Sequence, residues 1–143
     1  MATVEVAFTP LPAHVRTARL VATAVARRSG VDEALLDEVR LAVGEACSRA
    51  VEVHRRHCPA EPVRIEMTNQ GERFVVVVRD VAPTVPPPGA PAAAAPNGDD
   101  GALAIPSGFG LAVISGLADD VRVSSTSSGV SVRMSWPSTA ATA

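Results

Sequence analysis

The sequence contains no lysine and no tyrosine, and its aromatic residues are three phenylalanines and one tryptophan. The core must therefore be built from valine, leucine and alanine. With 47% hydrophobic residues there is enough apolar material to build one. The absence of lysine, together with abundant Ala, Val and Gly, reads as a composition bias. Formal net charge is only −2, which argues against a broad basic surface for nucleic acid. No apolar run approaches the roughly 18 residues that a membrane-spanning helix needs. The start, Met1 to Pro10, lacks the basic-then-apolar pattern of a signal peptide. A soluble, cytoplasmic protein without membrane or direct nucleic-acid contact is expected.

There are two cysteines, Cys47 and Cys58. On one helix they would stand about 16 Å apart along the axis, and a disulfide needs Cα atoms within roughly 7 Å. Free thiols follow, as in a reducing compartment. His54, His57 and Cys58 lie close in sequence, but a structural zinc site wants about four ligands and no fourth is evident. No metal site is expected.

At 143 residues the chain has the size of one domain. Thr3 to Phe8 alternates as a half-buried strand and is broken by Pro10 and Pro12. From His14 to Arg28, Val15, Ala18, Leu20, Val21, Ala22 and Val25 suit an amphipathic helix that ends at Ser29-Gly30. A second helix begins at Val31-Asp32, with Asp32 as its cap, and runs to about His57, where Pro59 and Pro62 stop it. Val63 to Thr68 and Arg73 to Asp80 flank a turn at Asn69 to Glu72 and read as a hairpin. The run Phe74 to Val78 suggests a strand buried on both faces, or nearly so. Val81 to Pro106 is crowded with Pro, Ala and Gly and reads as a long loop. A short helix, Leu111 to Leu117, and a hairpin of Asp119 to Ser125 with Gly129 to Trp136 complete the domain, 1–137. Residues 138–143 read as a disordered tail. Hairpins with helices between them predict an α/β two-layer sandwich: a mixed sheet with helices on one face.

The long helix carries two stripes. Leu35, Val39, Ala42, Val43, Ala46, Ala50 and Val53 face the core. Glu38, Glu45, Arg49, Glu52 and Arg56 form a polar stripe. The plainest reading is a solvated face stitched by Glu45–Arg49 and Glu52–Arg56 pairs, each contributing about 0.3–0.5 kcal/mol.

A second reading comes from resemblance. Glu45-Ala46-Cys47-Ser48-Arg49-Ala50, with the preceding Val39 to Gly44, resembles the N-box of the anti-sigma-factor serine kinases, which typically reads Glu-Ala-x-Thr/Ser-Asn-Ala. Asp80-Val81-Ala82-Pro83 is similar to the start of that family's second box, Asp-x-Gly-x-Gly, although Ala82 stands for the first Gly. Gly108-Phe109-Gly110-Leu111 matches the third, a Gly-x-Gly at a helix start, where backbone amides can cradle an anion. Read without the resemblance, Asp80 is a strand-ending turn residue and the glycines are turn residues. Ala18-Arg19 fits a further Ala-Arg pair of the family; by itself Arg19 is a solvated helix residue.

The resemblance spans residues 3–136 and implies the histidine-kinase/gyrase (GHKL) type of ATPase fold, with 84–105 as the lid over the nucleotide. It implies Glu45 as general base toward a partner's serine. It places Arg49, Asp80, Gly108 and Gly110 at the nucleotide, with Asp80 accepting from the adenine amino group. It implies Arg19 as a contact for a sigma factor and an anti-anti-sigma (STAS-type) protein, and homodimers as the common state. The family holds Mg²⁺ through an Asn at the position of Arg49. Arginine has no acceptor atom, so Mg²⁺ is not expected here and ATP binding is expected to be weak. The function expected is an anti-sigma-factor-like partner switch with little or no kinase activity. An active serine kinase and a nucleotide-free scaffold or dimerisation domain are the alternatives.

Overall fold

The computed structural model describes residues 3–82 and 110–139. The elements are β1 (Thr3–Phe8), α1 (Pro12–Arg28), a 3-10 turn (Glu33–Leu35), α2 (Leu36–His57), β2 (Val63–Gln70), β3 (Arg73–Arg79), α3 (Gly110–Leu117), β4 (Asp120–Thr126) and β5 (Gly129–Pro137). Pro12 opens α1, where its missing N–H costs no helical bond. Gly30, at φ 89°, takes the chain out of the helix. Asp32 caps as expected, its Oδ1 accepting from the Ala34 amide, but a 3-10 turn precedes the α-helix proper.

The strands among the described residues form one sheet in the order β1-β2-β3-β5-β4. Each pairing is antiparallel, which corrects the expectation of a mixed sheet. The reason is topological. Two helices between β1 and β2 return the chain to the start of a reversed strand. One helix between β3 and β4 makes those two strands parallel, but β5 enters between them and pairs with both.

The two layers are as expected. Ile65, Met67, Phe74, Val76, Val78, Val132, Met134 and Trp136 point from the sheet into one core with Val39, Val43, Ala46 and Ala50 of α2, Val15, Ala18, Ala22 and Ala26 of α1, and Ile114 of α3. Strict alternation in β2 puts Val63, Ile65 and Met67 inside and leaves Arg64 exposed. The central strand β3 also buries Val75 on the opposite face, as its run of valines suggested. Elsewhere that face carries charge, including a Glu66–Arg79 pair at 2.9 Å. Leu20, expected on the buried face of α1, is instead 60% exposed. Its position diverges from the Val15, Ala18, Ala22, Ala26 seam, whose small side chains meet α2.

The tail expected to fray from Ser138 is held at its start. The Ser138 amide donates to the Glu72 carbonyl and the Thr139 amide to the Gly30 carbonyl. Residues 140–143, the segment 84–105 and Gly108 lie outside the described residues. Both thiols are free. No helix among the described residues is long and apolar enough to cross a membrane.

Candidate functional site

The centre of the site is α2, which lies over the sheet and presents two different faces to two different regions. Toward its middle, Leu41, Gly44, Glu45 and Ser48 line a groove of about 500 Å³ with Arg19 of α1 and Val113, Gly116 and Leu117 of α3. Gly44 decides how Arg19 lies there. A Cβ at that position would stand 2.7 Å from the Arg19 Cδ, so a larger residue would push the arginine stem out of its present path across α2. Leu41 and Val113 are 47% and 40% exposed, so the groove has apolar walls and a charged floor of both signs. Glu45 is half-buried in it.

Arg49 faces inward, toward the end of β3. The expected Glu45–Arg49 pair is not made. Instead the Arg49 Nη1 donates to the Asp80 Oδ2 at 2.7 Å, with 6% and 0% of the two side chains exposed. Helical spacing brings Glu45 within reach of Arg49, but α2 covers the strand end, and there an enclosed carboxylate is the stronger partner for a guanidinium. The outer pair Glu52–Arg56 does form, at 3.2 Å and well exposed. The polar stripe is therefore exposed at Glu52 and Arg56, half-buried at Glu38 and Glu45, and buried at Arg49.

The second Asp80 oxygen is also committed. Its Oδ1 accepts from the Ala82 amide and the Val130 amide, both at 3.2 Å. The Asp80 amide in turn donates to the Val130 carbonyl at 3.0 Å. Gly129 sits directly against this backbone, where a Cβ would collide with the Asp80 carbonyl oxygen. Among the described residues, one buried donor of Arg49, its Nε, meets no partner.

His54 is a residue that sequence reasoning missed. The sequence offers it only as a metal-ligand candidate beside His57 and Cys58, yet it is fully buried. Its Nε2 accepts from the Val81 amide at 2.9 Å, and its Nδ1 meets the Glu61 carbonyl at 2.8 Å. A carbonyl only accepts and an amide only donates, so the ring is neutral with its proton on Nδ1. Two α2 side chains, Arg49 and His54, thus hold consecutive residues 80 and 81. The sequence carries no signal for this, because a spacing of five sets the two side chains about 140° apart around the helix.

Neither thiol is set up as a nucleophile. Burial pushes the Cys47 thiol up to about 12 against a small opposing effect of the Arg19 charge. Cys58 is raised by burial and then by the nearby carboxylates of Asp80 and Glu61. The reactive form is the thiolate, so both are poor nucleophiles at neutral pH.

The structure brings Arg19 and Glu45 to one groove, and Arg49 and Asp80 to one buried pair. Gly110 is the first residue of α3. Arg49 holds the Asp80 oxygen that the resemblance gives to a purine amino group, and an arginine offers no acceptor atom to a cation.

A family model described as a histidine kinase-like ATPase domain matches residues 8–136. Among solved structures, the crystal structure of the RsbU and RsbW domains of Rv1364c from Mycobacterium tuberculosis superposes with a TM-score of 0.64 at 14% identity. That similarity covers 99% of this chain and 35% of the other, so this chain spans little more than a third of the length it is compared with. At this identity the likeness speaks for the fold. No curated protein matches the sequence.

Proposed function

The chain belongs to the histidine kinase-like ATPase domain family, and from that membership we propose that it is a partner-switching regulator of transcription. It binds an anti-anti-sigma (STAS-type) protein, with a sigma factor as the competing partner, and acts by occupancy rather than by phosphorylation. The observation that carries this reading is the groove in which Arg19, Glu45, Leu41 and Val113 meet. Exposed apolar side chains flanking an arginine and a carboxylate suit a protein surface better than a small metabolite. The sequence resemblance assigns Arg19 and Glu45 to the partner side of the site. The solved structure it resembles in fold contains an RsbW domain. Weak ATP binding without Mg²⁺ belongs to the same reading.

An active serine kinase is the second reading, and Glu45 favours it. Glu45 makes no ion pair among the described residues, so its carboxylate is free to act as a base. The buried Arg49 weighs more heavily, because phosphoryl transfer relies on a metal to offset charge on the phosphates.

Arg19→Ala tests the proposal. Truncating an interface arginine can cost about 2 kcal/mol or more, so the Kd for a STAS partner should rise by about 30-fold. Arg19 is half-buried and makes no ion pair among the described residues, so the thermal midpoint should stay close to that of the unaltered protein. Unchanged affinity for the partner would remove the groove from the interface.

A further inference from the structure

We infer that Arg49 closes the nucleotide site from within, standing where an adenine ring would bind, and that removing its guanidinium opens the chain to adenine nucleotides. The inference rests on the family membership and not on the identity of any protein partner. It can therefore fail while the partner reading stands, and the reverse.

Three features of the strand end carry it. First, the donor that Arg49 offers Asp80 is an N–H, the same kind of group that an exocyclic purine amine would offer. The guanidinium carries a full positive charge, and hydrogen bonds between ionised groups are roughly twice as strong as neutral ones. A neutral base cannot displace it on equal terms. Second, the carboxylate has no open approach. Arg49 holds Oδ2, and the Ala82 and Val130 amides hold Oδ1. Ala82 is fully buried over it. Third, the closure is anchored on both sides of the Asp80–Val81 peptide, because His54 takes the Val81 amide and is itself fixed by the Glu61 carbonyl.

Asparagine at 49 is neutral and several atoms shorter. Asp80 would keep its two backbone donors and regain a free Oδ2 facing the vacated space. The experiment is a calorimetric titration of ATP, ADP and GTP, each with and without Mg²⁺, into the full chain and into Arg49→Asn and Arg49→Lys. The unaltered chain and Arg49→Lys, which keeps a cation over Asp80, should show no saturable binding up to roughly 1 mM, while Arg49→Asn should bind ATP and ADP at least about tenfold more tightly and prefer them to GTP. Adding Asp80→Ala to Arg49→Asn should abolish the gain. Circular dichroism reports whether each variant folds. If Arg49→Asn does not fold, Arg49→Gln is read in its place, since its neutral amide offers Asp80 only a donor that a purine amino group can displace. Binding of ATP to the unaltered chain as tight as to the neutral variant would overturn the inference. So would a folded neutral variant with no gain.

Discussion

Asp80→Ala is expected to destabilise the domain by about 3–5 kcal/mol, the usual cost of leaving one member of a buried ion pair without the other. Arg49 is largely enclosed, with 6% of its side chain exposed, and it would be left as an uncompensated charge. The same change removes the acceptor for the Ala82 and Val130 amides. Arg49→Met alone should cost a comparable amount, because Asp80 is then the isolated charge. The double change Arg49→Met/Asp80→Asn should recover most of the loss. It removes both charges, and the asparagine oxygen can still accept from Val130. Buried pairs replaced together by uncharged groups are often close to neutral. Urea unfolding followed by fluorescence of Trp136, the one tryptophan in the chain, measures all three. A cost below about 1 kcal/mol for Asp80→Ala would mean that the pair is not formed in solution, since even exposed pairs reach that value.

Gly129→Ala should be the most damaging single methyl addition, costing about 3 kcal/mol or more when backbone strain and steric overlap are combined. Gly129 has φ 147°, and the added Cβ would collide with the backbone of Asp80 rather than with a side chain that could swing away. Gly71→Ala supplies the comparison. Gly71 also has positive φ, at 68°, but nothing lies within 4 Å of the position its Cβ would take. Only the strain remains there, about 1–2 kcal/mol. The difference between the two variants measures how tightly the β4–β5 turn is pressed against the strand end. Equal losses would mean that this close approach does not exist in solution.

How much of this was legible in the sequence depends on the range of the interaction. Alternation at Val63 to Met67 gave the inner face of β2, and Pro12, Gly30 and Asp32 marked helix ends, because each acts on its own neighbours in the chain. Sheet order was not legible. Whether β5 lies between β3 and β4 or outside them is decided by how two hairpins dock, and no local residue records that choice. Arg49 shows the same limit at the site. Helical spacing offered Glu45 as its partner, one turn away. Asp80 is 31 residues away, and only the packing of α2 over the strand end makes it the nearer and drier acceptor. The motif reading had singled out both residues, each in its own box, without any means of joining them. Gly44 escaped notice for a related reason: its role is defined by the Arg19 side chain from another helix. His54 looked like a ligand because imidazole clusters attract that reading, but its two nitrogens are both engaged by backbone groups.

On the proposed reading, this chain regulates by binding alone, with its nucleotide site closed by its own arginine. The most direct measurement is the affinity of a STAS-type anti-anti-sigma protein for the nucleotide-free chain, repeated in the presence of Mg-ATP. A complex should form without nucleotide, with a Kd that changes by less than about twofold when Mg-ATP is added and no transfer of labelled phosphate to the partner's serine, because a ligand too weak to occupy its site cannot shift a binding equilibrium. A complex that forms only with Mg-ATP, or a partner that becomes phosphorylated, would contradict it.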